Sequence, residues 1–307
     1  MSPDHSATAS SGRVLVTGAT GNVGAEALRL LVGAGRAVRA GLHRLPAGPP
    51  GRDGSAAGGA EHVRLDFRDA STFGPALRGI RRVLLVRPPA IADVEATLVP
   101  FIAAAEHAGV EHVVFLSLQG AGRNPVVPNR KVERALKGSD LAWTLLRPSF
   151  FMQNLSGTHR AEIRDRGELY VPAGRGRTAF VDARDVAAVA SRALAESGHE
   201  GRAYTLTGPA ALSYAEVAQV LSDVLGRPVR YADPSLPAFW RRRRESGDPA
   251  AFVAVMAALY TVCRLGLAAG VTGELEGLLG RPATPLRAFA EDHRAVWDPS
   301  PTAGTPT

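Results

Sequence analysis

Cysteine occurs once, at position 263, so no disulfide can close within the chain and no thiolate cluster can hold a metal. Cys263 stands in an apolar stretch without a neighbouring histidine or acid, which predicts a buried structural thiol rather than a nucleophile. Lysine is almost missing: of 36 basic residues only Lys131 and Lys137 are lysines, and the net charge of +7 rests on arginine. A basic chain favours anionic ligands. The arginines are scattered, however, and 241–244 is the one run, so the pattern predicts a solvated helix face and no nucleic-acid surface. Long apolar runs are absent as well. The longest uncharged stretch, 249–263, ends at Arg264 and is too short to span a bilayer. Residues 1–12 are small and polar and lack the apolar segment of a signal peptide. The expectation is a cytoplasmic chain with no membrane partner. No P-loop, metal-ligand cluster, Ser-His-Asp pattern or internal repeat competes for a reading of function.

What is present centres on residues 14–24, Val-Leu-Val-Thr-Gly-Ala-Thr-Gly-Asn-Val-Gly. An apolar strand runs into Gly18, Gly21 and Gly24, and a helix-period run follows at Val23, Ala27, Leu28, Leu30 and Leu31. Strand, glycine turn and helix in that order form a dinucleotide-binding fingerprint. Gly18 permits the tight turn. Gly21 leaves room for a pyrophosphate against the backbone. Gly24 allows close packing of the helix, whose free N–H groups then face the phosphates.

The first half alternates between two patterns. Strands are expected over 36–42, 62–66, 82–86, 111–116 and 141–146, with helices over 71–78, 91–107 and 131–137. This rhythm predicts an α/β fold, a doubly wound parallel Rossmann sheet, with a smaller, mainly helical C-terminal lobe. Further on, short strands are expected over 168–171 and 178–181, a helix over 185–195 and a last main-sheet strand over 203–207. Ser213 with Glu216 makes a capping box for a helix that stops at Gly226, and 235–297 reads as all helix. The expected dinucleotide-binding domain is 12–153 plus 178–208, the substrate-side lobe 154–177 plus 209–297. A Gly/Pro/Ala-rich loop at 46–60 and tails at 1–11 and 298–307 complete the chain. A small-molecule substrate is expected in the cleft where the lobes meet, at the carboxyl ends of the strands.

Charge argues the cofactor. NAD sites put an acid at the end of the second strand, and NADP sites put a cation there. This strand ends Ala40-Gly41-Leu42-His43-Arg44. No acid is present, and Arg44, with His43 as the next candidate, suits a 2′-phosphate, so NADP(H) is favoured over NAD(H). Asp66 either accepts from the adenine amino group or caps the next helix, and Phe67 is placed to cover the adenine face.

These residues, together with 63–69, 84–89, 110–120, 131–136, 143–155, 180–186 and 204–208, resemble the NmrA-like family of atypical short-chain dehydrogenase/reductases. The stretch Arg-Pro-Ser-Phe-Phe-Met-Gln-Asn at 147–154 is the most specific part. The resemblance implies one of two activities. Some members reduce quinones or other small electrophiles with NADPH. Others bind NADP(H) as redox sensors and act on a regulatory protein partner. A redox-neutral enzyme of specialised metabolism and a homodimer are also compatible with the fold.

The resemblance also assigns roles. Lys131 matches the ribose-anchoring lysine of the Tyr-x-x-x-Lys pair, but Val127 stands where the proton-donating tyrosine belongs. Asn129 and Arg130 occupy positions where many relatives carry a histidine. Ser117 matches the serine that bonds a substrate oxygen or the cofactor. Lys131 and Ser117 are therefore the catalytic candidates. The cofactor is expected to contact Gly18, Thr20, Gly21, Asn22, Val23, Gly24, His43, Arg44, Asp66, Phe67, Arg87, Pro88, Ser117, Lys131, Pro148 and Phe150. Pro89, Phe151, Met152 and Asn154 are expected to line the substrate pocket, with His159 and Tyr170 as alternative proton donors. General acid help is worth about 10²–10⁴-fold. Its lack at 127 favours acceptors, such as quinones, whose reduced form is a stabilised anion.

Overall fold

The computed structural model describes residues 12–45, 59–124 and 127–298. The tails, apart from residue 298, and most of the loop expected at 46–60 lie outside these. The chain opens with β1 (Arg13–Val16), α1 (Asn22–Gly33), β2 (Val38–Leu42) and β3 (Glu61–Arg64). A 3-10 turn at Ala70–Thr72 leads into α2 (Phe73–Leu77), then β4 (Ile80–Val86), α3 (Leu98–His107), β5 (His112–Leu116), α4 (Pro128–Lys137) and β6 (Ala142–Pro148). Next come β7 (Phe150–Phe151), α5 (Gln153–Ser156), α6 (Arg160–Arg166), β8 (Glu168–Tyr170) and β9 (Arg177–Val181). α7 (Ala183–Ala195), β10 (Arg202–Leu206), β11 (Ala211–Ser213), α8 (Tyr214–Leu225) and β12 (Arg230–Ala232) follow. The last helices are α9 (Leu236–Glu245), α10 (Ala250–Arg264), α11 (Glu274–Leu279) and α12 (Leu286–Asp292).

Two compact units result. The first comprises residues up to 148 plus 184–206. It holds a seven-stranded sheet in the order β10-β6-β5-β4-β1-β2-β3, with every pairing parallel. This is the doubly wound Rossmann arrangement. The chain builds outward from β1 to β3, then returns across the sheet to start β4 on the other side of β1. The reversal leaves a crevice between β1 and β4, where such sheets bind ligands. Strands covered on both faces need continuous apolar sequence, and Leu15, Leu84, Val114 and Leu145 are fully buried.

α3 differs from expectation by opening seven residues late. Side chains capture the backbone groups that a helix over 91–97 would use. Arg87 Nη1 donates to the Ile91 carbonyl at 2.6 Å, the Ala96 N–H donates to Asp93 Oδ1 at 3.1 Å, and the Thr97 hydroxyl donates to the Asp93 carbonyl.

The second unit comprises residues 149–183 and 207 onward. β9 belongs here, paired with β7 and β11, whereas the sequence pattern grouped 178–183 with the first domain. β12 pairs with β8. The helices pack on a core that includes Tyr214, Phe239, Phe289 and Trp297. The Ser213–Glu216 capping box forms as the sequence predicts, with both reciprocal bonds present. α10 is unusual. Val253, Met256, Tyr260 and Cys263 form its buried stripe, and Phe252, Val255, Leu259 and Val262 form a second, exposed one. No described helix is long and apolar enough to cross a membrane.

Candidate active site

The glycine turn has the shape the sequence requires. Gly18 adopts φ +61°, and a Cβ there would come within 3.0 Å of the Val86 side chain. At Gly24 a Cβ would collide with the Gly18 carbonyl, so the third glycine serves the contact of helix with turn. Gly21 is different. Its φ is ordinary, it is exposed, and a Cβ would meet only the Gly18 oxygen at 3.4 Å. Nothing inside the protein demands glycine at 21. Gly21 is also the N-cap of α1, and no side chain caps that helix. Thr20, Gly21 and Asn22 are open to solvent beside the first-turn N–H groups, while Val23 is buried. The donor set and the open backbone fit a pyrophosphate.

At the ends of β2 and β3, His43 and Arg44 are both exposed. His43 Nδ1 lies 3.4 Å from Asp66 Oδ2. Arg44 has no ion-pair or hydrogen-bond partner among the described residues, which leaves its guanidinium available to a phosphate. Asp66 does not cap the following helical turn. Asp69 does so, accepting from the Ser71 N–H, and Asp66 Oδ1 accepts from the Arg68 N–H. Phe67 departs from expectation: the residue is 6% exposed and its ring meets Phe101 edge-on at 5.1 Å, so it packs in the core instead of lying open at the surface.

At the carboxyl ends of β4 and β5 the structure assembles a polar group that the sequence did not reveal. Ser117 is buried, and its hydroxyl donates to Glu133 Oε1 at 2.6 Å. Glu133, on α4, accepts a two-pronged pair from Arg147 at 2.9 and 2.6 Å. Burial pushes the Glu133 carboxyl up, but the bonds from Arg147 and Ser117 outweigh it and hold the group below its ordinary range, ionised. Ser117 has thus committed its only proton and presents lone pairs: it can accept a hydrogen bond but cannot donate one to a substrate oxygen. One helix turn away, Asn129 is buried and its Oδ1 accepts from Arg87 Nε at 3.1 Å. α4 buries positions 129, 132, 133 and 136. The signal for Asn129 and Glu133 was therefore two polar residues on the inward stripe of an amphipathic helix.

Lys131 lies on the outer side of α4 and pairs with Glu95 at 2.8 Å, both side chains more than half exposed. An exposed pair of this kind is worth about 0–1 kcal/mol, so Glu95 holds the ammonium only weakly. Val127 is the N-cap of α4 and carries nothing that ionises. Pro88 is half-buried, Pro89 exposed, and Pro148 buried with its carbonyl accepting from the Gln119 N–H.

Several pocket candidates in the second unit have structural employment. Met152 is 1% exposed and packs in the core. His159 is equally buried, with Nε2 2.5 Å from the Tyr260 hydroxyl and Nδ1 3.4 Å from Glu162, so it is no donor to a substrate. Tyr170 is half-buried, and its ring stacks on Phe239 and lies beneath the Arg242 guanidinium at 3.9 Å, a framework contact. Phe150 and Phe151 are half-buried on β7, and the Asn154 side chain is exposed. Cys263 is buried, and burial pushes its thiol up, as an inert thiol requires. No cluster of His, Cys, Asp and Glu suited to a metal exists among the described residues.

The sequence model of the NmrA-like family matches residues 10–241. An NAD(P)H azoreductase from Xenophilus azovorans is 38% identical over 293 residues, covering 92% of this chain and 99% of its own. A (4-alkanoyl-5-oxo-2,5-dihydrofuran-3-yl)methyl phosphate reductase from Streptomyces griseus is 36% identical and covers 93% and 99%. Among solved structures, the NADPH complex of the Escherichia coli NADPH-dependent quinone oxidoreductase superposes with a TM-score of 0.81 at 27% identity, covering 91% of this chain and 99% of its own.

Proposed function

The chain belongs to the NmrA-like family, and from that premise we propose that it is an NADPH-dependent reductase of flat, electron-poor small molecules. The observation that carries the reading is a dinucleotide cradle joined to a reacting end without a proton donor. Gly21 leaves the cradle open, Val127 has no acidic hydrogen, and the Ser117 hydroxyl donates its hydrogen bond to Glu133. The relatives named above act on azo compounds, quinones and an acyl-dihydrofuranone ester. These share a conjugated system that takes up electron density without prior protonation.

Residues of the first unit divide the work. The first-turn N–H groups of α1 hold the pyrophosphate, and Arg44 holds the 2′-phosphate. Lys131, leaving Glu95, binds ribose hydroxyls. The lone pairs of Ser117, fixed by Glu133 and Arg147, orient a donor group on the nicotinamide side. NADPH, when bound, supplies a hydride. Neither Val127 nor Ser117 hands over a proton, so the product anion must be stable until water protonates it. The reading includes the cytoplasm as the place of work, a compartment in which NADPH is regenerated.

The same reading includes a second copy of the chain as partner, seated on α10. Its exposed stripe repeats at 252, 255, 259 and 262, the 3-4-3 spacing of a helix–helix seam, and 249–263 carries no charge.

Steady-state NADPH oxidation tests the chemistry. Menadione is expected to outpace a simple ketone such as acetophenone by at least about 10²-fold, the value of the missing acid. Comparable ketone turnover would overturn the argument. Tight NADPH binding without oxidation by any acceptor would replace the reductase with an NADP(H) sensor.

A further inference from the structure

Arg87 follows directly on β4, next to Val86, whose side chain packs against the Gly18 turn. It therefore stands at the crevice where the strand order reverses. Its guanidinium is half-buried, and every acceptor it meets is neutral. Nε donates to Asn129 Oδ1 at 3.1 Å, and Nη1 donates to the carbonyls of Pro88 at 3.3 Å, Pro89 at 3.5 Å and Ile91 at 2.6 Å. Among the described residues Nη2 has no partner, nor is it one of the atoms sealed from solvent without one. No carboxylate lies within ion-pair distance of Arg87 among the described residues. Burial alone pulls the guanidinium down, and no neighbouring charge offsets it. The most deeply buried arginines are neutralised, Arg39 by Glu61 and Arg243 by Glu162 and Asp248, as is half-buried Arg147 by Glu133, whereas half-buried Arg227, like Arg87, meets only carbonyls.

A half-buried cation held rigidly by neutral acceptors, with one face open, lacks the countercharge that burial normally requires. We propose that Arg87 binds an anionic substituent of the acceptor, a carboxylate, sulfonate or phosphate, so that the preferred acceptors of this reductase are flat anions. The inference rests on the reductase reading for the identity of the ligand, though not for the existence of the anion site. Asn129 and the three carbonyls fix the guanidinium plane, leaving Nη2 to donate through both its hydrogens. The cofactor's own phosphates are the other source of the same chemistry, and the experiment separates the two.

Calorimetry on the NADP⁺-loaded protein compares naphthoquinone sulfonate with naphthoquinone, in the native chain, Arg87→Gln and Arg87→Lys. Arg87→Gln should weaken the sulfonate about ten- to hundredfold more than the neutral quinone, the worth of a hydrogen bond to a charged group. Arg87→Lys, which keeps the charge and loses the fork, should fall between. In the native protein, needing no variant, raised salt should weaken the sulfonate and leave the neutral quinone unmoved. A separate titration with NADPH is the control. Equal loss for both quinones together with lost NADPH affinity would assign Arg87 to the cofactor and overturn the proposal. Equal affinity of sulfonate and neutral quinone in the native chain would overturn it as well. If no acceptor is reduced yet the sulfonate still binds through Arg87, the reductase reading fails and the anion site stands.

Discussion

The three glycines of the phosphate turn look alike in sequence and have different jobs in the structure. Gly24 is fixed from within, because a Cβ would enter the Gly18 carbonyl. Gly21 is fixed only by what must lie against it. Gly24→Ala should therefore destabilise the protein, by about 1–3 kcal/mol if it behaves like other overpacked sites. Gly21→Val should unfold at close to the native temperature and lose NADPH binding in a fluorescence titration. Native affinity in Gly21→Val would remove the pyrophosphate from this turn. At this scale the sequence was readable where function is local: glycine spacing, the cationic end of β2, the valine at 127. It was silent where function is shared across the sheet. Ser117, Glu133 and Arg147 come from β5, α4 and β6, and only the fold brings them to hydrogen-bond distance. His159 and Tyr170 failed as donors for the converse reason. Their chemistry and their place near the expected cleft nominated them, and in the fold His159 is bonded to Tyr260 while the Tyr170 ring lies between Phe239 and Arg242.

Elements were legible to the extent that burial follows one period. β4 and β5, apolar on both faces, stand close to where the sequence put them, and α8 is bounded by its capping box and Gly226. α3 was misjudged because the side chains of Arg87, Asp93 and Thr97 capture the backbone of 91–97, which a hydrophobic period cannot reveal. β5 also carries a polar group with a consequence for stability. His112 is buried, and its Nε2 lies 2.8 Å from Thr144 Oγ1. The Thr144 hydrogen is engaged by the His199 carbonyl at 2.6 Å, so Nε2 must be the donor and Nδ1 a bare, unpartnered acceptor. A second proton would sit at Nδ1 without a partner, and burial lowers the folded-state value to about 4, from 6.5. Between those values the unfolded chain binds more protons than the folded one. Stability should then fall as pH drops from about 6.5 to 4, by up to about 3 kcal/mol. Urea unfolding across that window should show the slope in the native protein and a smaller one in His112→Gln. Identical slopes would mean that other groups carry the acid sensitivity.

For the whole molecule the sequence gives a clear first unit and a less clear second one, because parallel strands and crossover helices repeat whereas the second unit is irregular. Its short strands pair only two or three at a time, and its helices differ in length. The second unit nevertheless carries the least expected surface. The buried side of α10 satisfies its own core, and the exposed side, Phe252, Val255, Leu259 and Val262, each more than a third exposed, resembles a second buried side. A helix apolar on both sides is normally covered on both. Alanines at 251, 254 and 258 keep the backbone accessible between the large residues, which allows a second helix to approach closely. An identical helix is the natural match, since a two-fold axis brings the same seam to itself. Sedimentation equilibrium at micromolar concentration should find a dimer. Val255→Glu combined with Leu259→Glu should give a monomer with native circular dichroism, because both positions already face water in the single chain and the charges oppose only the seam. A native protein that sediments as a monomer would reject the second copy as partner. If it also adsorbed to neutral lipid vesicles through α10, the occupant of that face would be a lipid surface instead.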